Sequence, residues 1–69
     1  MITEIGIVAG EIWHHLDDSG VATLDQLAKS LKRPKELILM SLGWLAREGH
    51  IILESSHSNF TAKLVEKKF

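Results

Sequence analysis

At Gly49 the spacing of apolar residues in this chain changes, and that change restricts the fold more than any other feature. Upstream, apolar residues recur at intervals of three and four; downstream, "HIILESSHSNFTAKLV" alternates. A helical period that gives way to a strand period at one glycine means helices first and a hairpin last. Two β-prone runs, Ile51 to Glu54 and Phe60 to Val65, flank a polar Ser/His/Asn turn. Ile51 and Leu53 would face inward on one arm, and Phe60, Ala62 and Leu64 on the other.

Three helices are legible before that point. Ile2, Ile5, Ala9, Ile12 and Leu16 lay one apolar stripe along a helix over residues 3–18, with Ile7 and Trp13 widening it and Gly20 ending it. Thr23 and Gln26 form a capping box, in which each side chain satisfies a backbone N–H that the first turn leaves free, so a second helix spans 24–31. Leu24, Leu27, Ala28 and Leu31 make its buried face. After a tight turn at Lys32 and Arg33, Pro34 suits the first position of a third helix over 34–48, because its fixed φ and missing donor cost nothing there. Gly49 supplies the left-handed stop.

Size and charge narrow the functional classes. At 69 residues the chain is one domain, 1–69, near the lower limit for an independent core, and it has no cysteine to staple it. That excludes thiol catalysis and Cys-based zinc sites and suits a reducing compartment. The start "MITEIGIVAG" carries an acid and no basic flank, and no apolar run approaches the ~18 residues needed to span a bilayer, so the expected location is the cytoplasm, with no membrane partner. All eight basic residues lie from Lys29 onward, together with four of the nine acidic ones. Such an asymmetry permits a nucleic-acid patch or head-to-tail pairing.

The order helix, helix, tight turn, helix, hairpin resembles a winged helix-turn-helix domain over nearly the whole chain. "TLDQLAKSL" corresponds to the middle helix, "LILMSLGWLAREGHIILE" to the third helix and its exit, and "SSHSN" to the wing tip. The chain is similar to small stand-alone bacterial and archaeal winged-helix proteins of unassigned function. The resemblance implies a mainly helical α+β fold, a C-terminal hairpin wing, and a short strand at Val21 and Ala22 pairing with it. It implies no activity, because function resides in sites grafted on folds. In DNA-binding members the third helix enters the major groove, and wing and helix ends hold phosphates.

The outer face of that third helix is the candidate site. At 100° per residue, Ile38, Ser41, Leu42 and Leu45 face the core, leaving Glu36, Met40, Gly43 and Arg47 opposite, flanked by Leu39 and Trp44. Met, Gly, Leu and Trp offer almost none of the donors and acceptors that base edges need, and phosphate repels Glu36. A glycine inside a helix costs about 1 kcal/mol relative to alanine and is best explained by a close backbone approach. Leu39, Met40, Gly43, Trp44 and Arg47 therefore read as a partner-binding face, for a second copy or another protein. Two other readings stand beside it. Leu37, Leu39 and Trp44 could pack under the wing or against the first helix; or Lys32, Arg33 and Lys35 at the turn, with Lys63 and the Lys67–Lys68 tail, could touch phosphates in a DNA-binding regulator.

Enzymatic and metal chemistry find little in the sequence. Within "HHLDD" only His14 and Asp18 share helical spacing, and one pair does not make a metal site. Gly6 and Gly10 form a GxxxG in a stretch too short and too polar at its flanks for a membrane helix. His50 and His57 lie on or beside the hairpin, and neither a nucleophile–His–acid order nor a phosphate-cradling loop is present. The expectation is a non-enzymatic protein with no metal and no cofactor.

Overall fold

The computed structural model describes residues 2–56 and 59–65. The chain runs α1 (Ile2–Ser19), β1 (Val21–Thr23), α2 (Leu24–Leu31), α3 (Lys35–Arg47), β2 (Ile51–Ser56) and β3 (Asn59–Leu64). The strands form one antiparallel sheet in the order β1-β3-β2. β3 lies between the other two, with Ala62 opposite Ala22 on one side and Leu53 on the other. Three helices with a hairpin wing and a short third strand make the mainly helical α+β architecture expected of a winged helix.

Each helix ends for a local reason. The capping box is formed: the Thr23 N–H donates to Gln26 Oε1 at 2.9 Å, and the Gln26 N–H donates to Thr23 Oγ1 at 3.1 Å. α3 closes with two bonds, Gly49 N–H to the Ala46 carbonyl at 3.1 Å and His50 N–H to the Leu45 carbonyl at 2.9 Å. That is the Schellman pattern, and it requires the positive φ of 78° that Gly49 adopts. α2 ends less comfortably, because its left-handed C-cap is Lys32, at φ 55° and ψ 47°.

Pro34 stands one place earlier than the sequence suggests. It caps α3 with an extended ψ of 144° while its carbonyl accepts the Ile38 N–H at 3.1 Å, so Lys35 is the first helical residue.

The core gathers Val8, Ala9, Ile12 and Leu16 of α1, Leu27 of α2, Leu37, Ile38, Leu42 and Leu45 of α3, and Ala22, Ile51 and Ala62 of the sheet. Ser41 is buried among them; its hydroxyl donates to the Leu37 carbonyl at 2.8 Å, so its polarity is satisfied within the helix. Two residues of the expected α1 stripe behave differently. Ile2 is 84% exposed, because α1 is longer than α3 and its first turn reaches past the core. Ile7 is exposed too, since it points about 150° away from the stripe once Val8 is counted in it. Among the described residues no helix is long and apolar enough to cross a membrane.

Candidate functional site

Leu37 turns inward and completes the core, whereas Leu39, Met40 and Trp44 remain 39%, 41% and 52% exposed. Of the three residues that could pack under the wing or against the first helix, Leu37 is buried, whereas Trp44 and Leu39 keep much of their surface exposed, and the reason is geometric. The inward positions of α3 already meet α1, α2 and the sheet, so among the described residues the side chains on its far side are covered only in part. Gly43 and Arg47 lie exposed on the same side. A Cβ built on Gly43 meets nothing within 4 Å. Among the described residues, no close backbone approach explains this glycine.

The face extends beyond α3, and sequence reading missed that extension. Ile2, Ile5, Gly6 and Trp44 line a mostly apolar groove of about 330 Å³, so the first turns of α1 carry the surface on past the tryptophan. Gly6 and Gly10 are likewise open, with nothing within 4 Å of a Cβ at either position. The signal for this groove was present in Ile2 and the GxxxG, but only the packing of α1 on α3 brings those residues beside Trp44.

The four basic candidates are dispersed among other roles. Arg33 makes a bidentate pair with Glu11 of α1, its Nε donating to Oε1 at 3.1 Å and its Nη2 to Oε2 at 2.8 Å. These hydrogen bonds, with the charge of the guanidinium, hold the Glu11 carboxyl below its ordinary range. Lys35 pairs with Asp25 at 2.7 Å. Lys32 occupies the left-handed cap. Lys63 stands on the outward row of the sheet between Val21 and Ile52, both exposed and apolar. Lys67, Lys68 and the wing-tip His57 lie outside the described residues.

Among the described residues the histidines show no ligand set. The His14 ring meets Trp13 edge-on, with centroids 5.5 Å apart, and the His15 carbonyl accepts the Ser19 hydroxyl. Among the described residues, no group of three or more His, Asp or Glu side chains is placed to hold a metal ion.

Three helices and a three-stranded antiparallel sheet with a hairpin wing define the class, a winged helix-turn-helix domain. The chain belongs to the family described as "Winged helix-turn-helix domain (DUF2582)", whose model matches residues 1–64. It is 34% identical over 64 residues to uncharacterized protein MJ1608 of Methanocaldococcus jannaschii, covering 88% of this chain and 90% of that one. The solution NMR structure of protein BT2368 from Bacteroides thetaiotaomicron superimposes with a TM-score of 0.78 at 26% identity, over 90% of this chain and 76% of that one.

Proposed function

We propose that this domain is a non-enzymatic protein-interaction module that self-associates through the outer face of α3. The exposure of Leu39, Met40 and Trp44 around an open Gly43 carries the reading. The exposed parts of three large apolar side chains, beside a glycine that weakens the helix by about 1 kcal/mol, bring the monomer no benefit. Association would remove them from water at ~25 cal/mol per Å², and aromatic, Met and Arg side chains suit the centre of an interface. The groove at Ile2, Ile5 and Gly6 gives that surface depth beside its tryptophan. Such a module needs no cofactor, and a chain without cysteine suits the cytoplasm.

DNA is less well served as the partner. The face offers few base-edge donors beyond Arg47 and the Trp44 indole N–H, and Arg33 and Lys35 already hold carboxylates of their own chain. Sedimentation from micromolar to millimolar concentration, with and without duplex DNA at ~50 mM salt, tests the choice. The expected result is a concentration-dependent dimer indifferent to DNA. A millimolar monomer that binds a preferred duplex below micromolar, and loses it on Arg33→Ala or Lys35→Ala, overturns the proposal in favour of a DNA-binding regulator.

A further inference from the structure

The exposed face of α3 is self-complementary in a way that specifies how a second copy would lie on it. Glu36 and Arg47 stand at opposite ends of one stripe, about 16 Å apart at ~1.5 Å per residue. Met40 and Gly43 lie between them, and Leu39 and Trp44 flank the stripe. Each of these three pairs is placed symmetrically about the same point of the helix, midway between Met40 and Gly43. Glu36 and Arg47 are exposed, and neither has an ion-pair partner among the described residues, unlike Arg33 and Lys35.

We propose that the partner is a second copy of this chain, its α3 packed antiparallel on the first about a twofold axis between Met40 and Gly43, so that Glu36 of each copy meets Arg47 of the other. This arrangement rests on the self-association reading and adds its register. The twofold brings Met40 of one helix level with Gly43 of the other, a long flexible side chain against the one position that offers no side chain. It sets the two Leu39 side chains along one flank of the seam and the two Trp44 side chains along the other, and it closes both ends with opposite charges. An isologous contact makes every such match twice, which is what a homodimer requires. A parallel pair would set Glu36 beside Glu36 and Arg47 beside Arg47. The macrodipole alone favours an acid in the first turn of a helix and a base in the last. It does not account for their sharing one exposed stripe with Gly43 at its middle.

Charge reversal in the full chain tests the register. Glu36→Arg or Arg47→Glu alone turns two attractive contacts into two repulsive ones and should weaken the dimer roughly tenfold or more in sedimentation equilibrium at low salt. The double variant Glu36→Arg/Arg47→Glu restores both contacts with reversed sign and should return to within about threefold of the parent. That recovery cannot come from fold stability, because the double variant sets both charges against the helix dipole; melting curves on each variant measure that separate cost. Gly43→Leu should abolish the dimer while the monomer melts no lower than the parent. If the parent dimerises and Gly43→Leu disrupts it, but the single reversals have no effect or the double fails to recover, the register is wrong and the α3 interface stands. If the parent is a monomer at millimolar concentration, or its dimer ignores Gly43→Leu, both fall.

Discussion

Lys32 is a lysine where the backbone calls for glycine. Its left-handed φ and ψ place Cβ against the following carbonyl oxygen, and its N–H still has to reach the Ala28 carbonyl to close α2. Lys32→Gly removes that strain at the expense of a more flexible unfolded chain, so the net expected gain is about 0.5–1 kcal/mol, a few degrees in thermal unfolding. A lower melting temperature would mean that the lysine side chain contributes something its backbone does not reveal. The opposite sign is expected at Thr23, whose hydroxyl occupies one free donor of α2 and whose backbone N–H depends on Gln26. Thr23→Ala should cost about 1 kcal/mol by denaturant titration, without altering association.

Between elements, the bidentate pair of Glu11 and Arg33 ties α1 to the turn that launches α3. Both side chains are partly exposed, so solvent screens the pair and its value to stability is modest. Its pH dependence is nonetheless distinctive. A carboxyl held below its ordinary value of 4.5 stabilises the fold above that pH and loses its contribution as the pH falls through the lowered value. The parent should therefore melt above Glu11→Gln at neutral pH, and the gap should close on acidification below about pH 4.5. A gap that stays constant from neutral to strongly acidic pH would show that the pair acts through packing and not through charge. Arg33→Lys should reproduce part of the loss, since an ammonium cannot offer the two parallel donors that this carboxylate accepts.

At the scale of the molecule, the question is what covers the far side of α3. Trp44 is half exposed, so its removal takes less from the monomer than a core tryptophan would, and about half of its surface is available to a partner. Trp44→Ala should lower the monomer's stability by about 2 kcal/mol, below the ~3–5 kcal/mol of a core tryptophan, and weaken association by ~2 kcal/mol or more. Sedimentation and melting on the same sample separate the two effects. A large loss of stability with unchanged association would return Trp44 to the core.

The order of elements and their ends follow from local chemistry that the sequence carries openly: Thr23 with Gln26, glycines at 20 and 49, and the change of apolar period after Gly49. The core of α3 is legible for the same reason, because a helix sets the direction of Ile38, Ser41, Leu42 and Leu45 relative to its own axis. Direction is not coverage. Whether Ile2, Ile7, Leu39 or Trp44 is buried depends on which neighbour crosses that flank and how far it extends, and only the packing of α1 on α3 decides it. The same limit hid the partner of Arg33, since Glu11 lies 22 residues away on another helix and no spacing rule links them. Periodicity belongs to one helix and can be read from its residues, whereas contact belongs to two surfaces and exists only once both are in place.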